Sequence, residues 1–87
     1  MPRYVIQRTL GHVSDADLDA AADNSRRVRE ASFPDITWEH SHVVHTADGL
    51  KSYCVYDAPS EQMVRDHAAA SGLPADDVEE IKLDIVG

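Results

Sequence analysis

The feature that most constrains the fold is the order in which strand-like and helix-like segments follow one another. Runs rich in β-branched and aromatic residues predict strands at Arg3–Leu10, Ile36–His45 and Lys51–Asp57, and alternating apolar residues predict a last strand at Glu80–Val86. Helical spacing of apolar residues separates the first strand from the second and the third from the fourth. This β-α-β-β-α-β order is typical of the ferredoxin-like α+β fold, in which an antiparallel four-stranded sheet carries both helices on one face.

The ends of both predicted helices carry capping residues. Ser14 and Asp17 match a capping box at the start of the first helix. That helix is expected to end just before Pro34, because the residue preceding a proline avoids helical backbone angles. In the second helix, Ser60 is the expected N-cap and Gly72 the expected stop.

The Asp48-Gly49 pair lies between the two central predicted strands and is a strong short-range signal of a β-hairpin. If these two residues form the centre of the turn, counting outward from them gives the pairing of the strands. His40 then lies directly opposite Asp57, so the sequence predicts a histidine and a carboxylate side by side on one face of the sheet.

The acidic charge balance limits the classes of partner. The chain has 16 acidic and 8 basic residues, for a formal net charge of −8, which argues against a nucleic-acid footprint or a polybasic membrane surface. No apolar run is long enough to cross a bilayer, the first residues lack the apolar segment of a secretory signal, and one cysteine cannot form an internal disulfide. We therefore expect one cytoplasmic domain over residues 1–87, with no nucleic-acid or membrane partner.

The predicted central hairpin carries apolar and aromatic residues on both of its faces. The residues of both parities are Trp38, Val43, Val44, Tyr53, Cys54, Val55 and Tyr56. Because two helices cover only one face of a four-stranded sheet, the other face needs a different cover. A second copy of the chain is the simplest cover, since two-fold dimers are the commonest oligomers. The sequence therefore predicts a homodimer.

Three of the five histidines, His40, His42 and His45, fall within six positions. On a strand, His40 and His42 point to the same face, whereas His45 points to the other face or lies at the hairpin end. Two neighbouring imidazoles are a two-ligand platform for nickel, copper, zinc or iron. Asp57 would be a third ligand, or would orient an imidazole ring from outside the metal shell. The competing interpretation is that these are solvated sheet residues without a metal.

A second set of residues fits a pocket between the sheet and the helices. It consists of Ser41, Cys54, Tyr56 and His67. His67 lies on the apolar face of the second predicted helix, so it is either a core residue or an acid–base group of such a pocket. Cys54 and Tyr56 are expected to be packing residues unless a pocket forms around them.

Several motifs resemble a family of small bacterial proteins that is catalogued as a domain of unknown function and has a nickel-binding member. The motifs are Cys54-Val55-Tyr56-Asp57-Ala58-Pro59, Val64-Arg65-Asp66-His67-Ala68 and Gly72-Leu73-Pro74-Ala75-Asp76, with Met1-Pro2-Arg3-Tyr4 and Trp38-Glu39-His40-Ser41 upstream. The resemblance extends from Met1 to Val86. It implies a cytoplasmic ferredoxin-like subunit of a dimeric α+β barrel and nickel as the bound metal.

The resemblance also marks individual positions. Those that match the family pattern are Trp38, His40, Ser41, Cys54, Tyr56, Pro59 and His67. His42 departs from the pattern, in which this position is aromatic, and His45 is not a typical family residue.

Three hypotheses follow from the residues and the resemblance. The first is a small, cytoplasmic, homodimeric and non-catalytic metal-binding protein that takes nickel, or else zinc or copper. Its ligands would be His40 and His42, with Asp57 or a group of the partner subunit completing the shell. The second is an enzyme or small-ligand binder of the dimeric α+β barrel kind, with a pocket around His67, Cys54 and Tyr56. The third is an interaction module without small-molecule chemistry, in which neither a metal nor a ligand changes the melting temperature.

Overall fold

The computed structural model describes the whole chain, from Met1 to Gly87, and confirms the predicted order of elements. The elements are β1 (Arg3–Gly11), α1 (Asp15–Ser32), β2 (Thr37–Thr46), β3 (Gly49–Asp57), α2 (Glu61–Ser71) and β4 (Asp77–Glu80). The four strands form one antiparallel sheet in the order β2-β3-β1-β4. This arrangement is the predicted ferredoxin-like α+β fold.

Both helices pack on one side of the sheet, which we call the covered face; the opposite side is the open face. Successive residues of a strand alternate between the two faces. In β1, Tyr4, Ile6 and Arg8 are buried on the covered face, whereas Val5 and Gln7 are half-buried on the open face. The apolar core lies between helices and sheet and consists of Tyr4, Ile6, Ile36, Cys54, Tyr56, Ala58, Val64 and Val78.

The predicted capping residues lie at the helix ends. Ser14 Oγ accepts a hydrogen bond from the Asp17 backbone N–H at 3.1 Å, and Asp17 Oδ2 accepts one from the Ser14 N–H at 3.3 Å, which completes the capping box. In α2, Ser60 Oγ accepts from the Met63 N–H at 3.2 Å, and Gly72 ends the helix with a φ of 70°. Neither helix combines the length and the apolar character needed to cross a membrane.

The hairpin between β2 and β3 turns one residue earlier than predicted. Thr46 pairs with Gly49, so the two turn residues are Ala47 and Asp48 rather than Asp48 and Gly49. Gly49 has a φ of 110°, and a Cβ atom there would lie 2.6 Å from the carbonyl carbon of Gly11. The close approach of β1, rather than the turn itself, therefore requires glycine at this position.

This shift in register overturns the predicted pairing of His40 with Asp57. His40 lies opposite Val55, and Asp57 lies opposite Thr37. The residue opposite His40 moves by two positions along β3, from Asp57 to Val55. Because side chains alternate between faces with a period of two, His40 and Asp57 stay on the face predicted for them although their cross-strand neighbours change. His40 and Asp57 therefore share the open face without being directly opposed.

A β-bulge at Glu39 interrupts β2 between Trp38 and His40. The extra residue allows Glu39 and His40 both to face the open side, where Glu39 contacts Arg3. Trp38 stays on the covered side, where its indole N–H donates to Ser41 Oγ at 2.8 Å. Without the bulge, Trp38 and His40 would lie on the same face, because they are two positions apart.

β4 begins and ends earlier than predicted. The strand is Asp77–Glu80 rather than Glu80–Val86, and the residues after it have no regular structure. The Ile81 N–H still donates to the Arg3 carbonyl at 2.7 Å, but β1 itself begins at Arg3 and offers no further paired residue. The alternating apolar residues that indicated a longer strand are therefore exposed; they are Leu83, Ile85 and Val86.

Candidate metal and ligand sites

The sheet divides the predicted site residues into two groups. The predicted metal ligands His40, His42 and Asp57 are on the open face. The predicted pocket residues are on the covered side; they are Ser41, Cys54 and Tyr56 of the sheet and His67 of α2. One small ligand cannot contact both groups, because the sheet backbone lies between them.

His40 and His42 are adjacent, exposed side chains on the open face. Their ring centroids are 5.2 Å apart and the ring planes are inclined at 71°. Two imidazoles that bind one first-row metal ion at ~2.1 Å from nitrogen place their ring centroids roughly 4.5–5 Å apart. With a small side-chain adjustment, the pair therefore fits two adjacent positions in a metal coordination shell.

A single chain does not complete such a shell. No group of three or more His, Cys, Asp or Glu side chains is placed to hold a metal ion. Nickel(II) bound by nitrogen and oxygen donors prefers square-planar or tetragonal geometry, which requires at least four ligands. The residues present therefore fit half of a nickel site, and the remaining donors must come from outside the chain.

Asp57 belongs to a charge cluster rather than to the histidine pair. Arg3 donates from Nε and Nη2 to the two carboxylate oxygens of Glu39, at 2.6 and 3.0 Å. The same guanidinium lies 3.5 Å from Asp57 Oδ1 and also contacts Asp84. We call these four residues the Arg3 cluster; they lie at the edge of the open face next to the bulge.

The Arg3 cluster makes Asp57 a poor metal ligand. Hydrogen bonds from Arg3 lower the pKa of Glu39 to about 2. The pKa of Asp57 is raised, chiefly because it shares a hydrogen bond with Glu39 and also because it is partly desolvated. The positive charge of Arg3, 3.5 Å from Asp57 Oδ1, works against binding of a metal cation at the same carboxylate.

His45 lies at the hairpin end, where it pairs with Leu50. It lines a shallow depression together with His12 and Asp15. The side chain lies on the covered side of β2, away from the two open-face histidines. His45 is therefore separate from the histidine pair, although it is close to it in sequence.

A cavity of about 290 Å³ lies between α1 and the covered face. Its lining is mostly apolar and includes the predicted residues Ser41, Cys54 and Tyr56, but not His67. Small side chains on both sides leave the space open; they are Ala21, Ala22 and Ser25 of α1 and Ser41, Ser52 and Cys54 of the sheet. The helix and the sheet therefore do not pack solidly against each other.

His67 is fully buried and packs against aromatic rings. Its ring centroid lies 5.5 Å from that of Phe33 and 5.7 Å from that of Tyr56. Nε2 lies 3.1 Å from the Ser25 carbonyl oxygen, so the neutral ring donates from Nε2. Burial lowers the pKa of His67, which keeps the ring neutral and fits a role in joining α1 to α2.

Arg8 is a candidate functional residue that the sequence analysis did not single out. It is 2% exposed, and its Nη1 donates to the Pro74 carbonyl at 2.6 Å, but Nε and Nη2 are buried without a partner. Its guanidinium carbon lies 6.0 Å from the centroid of the Tyr56 ring. The sequence signal that could have found it is strand alternation. Tyr4, Ile6 and Arg8 are two residues apart along β1, so Arg8 is expected on the same buried face as the two apolar residues.

Comparison with known proteins assigns the chain to a family. The family model described as nickel responsive protein SCO4226-like matches residues 4–81. The chain belongs to the SCO4226-like family. The crystal structure of SCO4226 from Streptomyces coelicolor A3(2) matches this SCO4226-like chain with a TM-score of 0.78 and 20% sequence identity, over 95% of this chain and 99% of that chain. No curated protein matches the sequence.

These matches confirm the family resemblance and the ferredoxin-like fold. At 20% identity, the structural match establishes the fold alone. The family's description as nickel-responsive supports a nickel-related role for an SCO4226-like protein. The family description does not name metal ligands. The candidate ligands are His40 and His42, on the basis of their geometry.

Proposed function

We propose that the protein is a non-catalytic nickel-binding homodimer in which the open faces of two copies meet and each copy supplies His40 and His42. The observation that carries this proposal is the histidine pair itself, whose ring centroids are 5.2 Å apart. The pair has the spacing of two ligands of one metal ion, and one chain offers no third ligand. A second copy supplies two more imidazoles by symmetry.

The ligand chemistry supports nickel. Imidazole nitrogen suits nickel, copper and zinc, and four nitrogen donors from two copies match the tetragonal geometry that nickel(II) adopts. The family description then favours nickel over zinc or copper. Bound nickel would link the two subunits and supply no bond-breaking step, so the chain's own residues need only hold neutral imidazoles in place.

Uncovered apolar surface supports the second copy. On the open face, Val5 and Val44 are half-buried, and Tyr53 is 37% exposed. The tail after β4 adds Ile85 and Val86, each 90% exposed. Apolar surface that one chain leaves in water favours association with another chain of the same shape.

A metal that bridges two copies also explains a response to nickel. Any ligand that binds the dimer but not the monomer shifts the population toward the dimer by mass action. The fraction of dimer would therefore rise with the nickel concentration. Such a change in assembly needs no catalytic group.

Calorimetric titration with nickel chloride, combined with sedimentation equilibrium, tests the proposal. We expect one nickel ion per two chains and a larger dimer fraction after loading. Binding should weaken as the pH falls, because protonated imidazole cannot bind a metal. A dissociation constant weaker than about 100 μM for nickel, zinc and copper alike would overturn the proposal.

Histidine variants locate the site. Replacing both His40 and His42 with alanine should abolish tight nickel binding and the nickel-dependent dimer. His45→Ala is the matched control, because it makes the same change on the same strand but on the covered side. Unchanged nickel affinity in the double variant would contradict the proposal, as would loss of affinity in the His45 variant alone.

A further inference from the structure

Arg8 is a buried charge without a counter-ion. It is 2% exposed and forms no ion pair with any carboxylate, whereas Arg3, Arg26, Arg29 and Arg65 each lie within 4.0 Å of one. The guanidinium makes one hydrogen bond, to the Pro74 carbonyl, and its Nε and Nη2 have no partner. A buried cation with two unused donors is unfavourable and calls for an anion.

The two unused donors form one edge of the guanidinium. Nε–H and Nη2–H point in the same direction and together match the two oxygens of a carboxylate. Arg3 provides an internal example, since its Nε and Nη2 hold both carboxylate oxygens of Glu39 at 2.6 and 3.0 Å. The corresponding edge of Arg8 holds nothing in the chain.

Arg8 also forms part of the wall of the cavity under α1. Most of the remaining wall is apolar and includes Leu10, Leu18, Leu73, Trp38 and Tyr56. Val43 is 48% exposed and also lines the cavity, so the space connects to solvent near β2. An apolar space with one cationic group is the general design of a site for a small organic anion.

From these observations we propose that the cavity binds a small monocarboxylate with an apolar body, and that the Nε and Nη2 atoms of Arg8 bind its carboxylate. A cavity of about 150 Å³ accommodates benzene. The cavity of about 290 Å³ therefore accommodates a ring or a medium-length aliphatic chain that ends in a carboxylate. Arg8 lines the cavity, but its Nε and Nη2 atoms are fully covered in the free protein. Binding therefore requires the Arg8 side chain to change rotamer and turn these two donors into the cavity, and such changes are common at binding surfaces.

The proposal is independent of nickel, because the cavity and the histidine pair lie on opposite faces of the sheet. Octanoate and 3-phenylpropanoate are suitable probes, with 1-octanol as the neutral analogue of octanoate. Amide and side-chain NMR spectra of the metal-free protein would be recorded during each titration. We expect saturable shifts for residues that line the cavity, such as Ala22, Cys54 and Tyr56, with either carboxylate, and binding of 1-octanol that is at least about tenfold weaker.

Two substitutions test separately whether binding needs the positive charge of Arg8 and whether it needs the volume of the cavity. Arg8→Met removes the guanidinium but keeps a long apolar side chain, and should weaken octanoate binding by about tenfold or more. Ala22→Leu keeps Arg8 but fills the cavity from α1, and should also prevent binding. Ala31→Leu, on the exposed side of the same helix, is the matched control and should bind octanoate like the parent chain.

The melting temperatures of the ligand-free parent chain and of Arg8→Met distinguish a ligand-binding role of Arg8 from a structural one. If Arg8 is held for a ligand, Arg8→Met should retain or raise the melting temperature of the free protein while it loses octanoate binding. If Arg8 is only structural, the variant should melt at a lower temperature and octanoate should have no effect on the parent chain. That second result would overturn the proposal, as would equal binding of 1-octanol and octanoate.

Discussion

Two arginines of β1 lie five residues apart on opposite faces of the sheet, and their surroundings are reversed. Arg3 lies at the edge of the open face and contacts three carboxylates, Glu39, Asp57 and Asp84. Arg8 lies on the covered face, is 2% exposed and contacts no carboxylate. A stable monomer would be expected to pair its buried charge first, because an unpaired charge costs more in the interior than in water.

The opposite surroundings of Arg3 and Arg8 indicate that the two faces of the sheet differ in function. On the open face, charges are neutralised within the chain and the histidine pair is left free beside them. On the covered face, small residues replace the large side chains that a solid core would use, and one charge is left unpaired beside the resulting space. Each face is therefore incomplete in a way that a different partner would complete.

Removal of an aromatic ring from the core should cause the largest loss in the free energy of unfolding. It tests whether packing on the covered face provides most of the stability. Tyr56→Ala removes a ring that is 1% exposed and packs against Trp38 and His67. We expect a loss of about 3–5 kcal/mol in the free energy of unfolding, measured by urea denaturation. Tyr53→Ala, the same change at a 37% exposed position on the open face, should cost less than about 1 kcal/mol at low protein concentration.

A similar loss of stability from both substitutions would mean that the two faces contribute equally to the fold. A loss at Tyr53 that grows with protein concentration would instead show that the open face is part of an interface between chains.

The pH dependence of stability tests the buried histidine. Burial lowers the pKa of His67 below its ordinary value of 6.5. The unfolded chain therefore binds a proton that the folded chain does not, and stability should be intact above about pH 6.5 and fall as the pH drops toward the folded pKa. For one group, the slope reaches about 1.4 kcal/mol per pH unit.

His67 faces further positive charges across the core, since Arg8 and Arg29 also lower its pKa. Urea denaturation at a series of pH values should show that His67→Gln removes most of this slope. His12→Gln, at an exposed position, should keep it. An unchanged slope in the His67 variant would assign the pH dependence to other groups.

Replacement of the buried Arg8 should change the free energy of unfolding less than removal of the Tyr56 ring does, and should not lower it. Because Arg8 is an unpaired buried charge, Arg8→Met is expected to leave the free energy of unfolding unchanged or to raise it by about 1 kcal/mol. Thermal and urea denaturation without added ligand would measure the change. A loss of more than about 2 kcal/mol would mean that the hydrogen bond to Pro74 and the packing on Tyr56 outweigh the unpaired charge.

Replacement of the exposed arginine should have the smallest effect of the series. Arg3→Met removes ion pairs at an exposed position, and such pairs contribute little because water and salt screen them. What effect there is should shrink further in ~1 M salt, where the screening length is about 3 Å. The pKa of Glu39, lowered to about 2 beside Arg3, should rise toward its ordinary value in this variant, as followed by NMR.

The local elements were predictable because their signals are local. The capping box at Ser14 and Asp17, the N-cap at Ser60 and the glycine stop at Gly72 each act within a few residues, and the structure confirms all of them. The element order then followed, and with it the fold. None of these features needs information from a distant strand.

The features that the sequence did not reveal depend on contacts between distant segments. Gly49 is required by Gly11 of another strand, so the turn signal pointed to the wrong register. The tail after β4 alternates like a strand but makes no backbone hydrogen bond to β1 beyond Ile81, and Asp84 contacts Arg3 through its side chain alone. The bulge at Glu39 is fixed by Arg3 from β1, and no single-strand pattern marks it.

The histidine pair was predictable because residues two apart on a strand share a face. The sequence left the third donor open between Asp57 and a group of the partner subunit, and the placement of Asp57 opposite His40 rested on the wrong register. The burial of Arg8 could have been predicted from the parity of β1, but its lack of a counter-ion depends on the positions of all the acidic side chains.

The most direct test of the central claim is a crystal structure of the nickel-loaded protein, measured on both sides of the nickel absorption edge. We predict one anomalous peak per two chains, between the open faces and within bonding distance of His40 and His42 of both copies. A peak at His45 and His12, a peak bound by one chain alone, or a nickel-loaded protein whose open faces do not meet would contradict it.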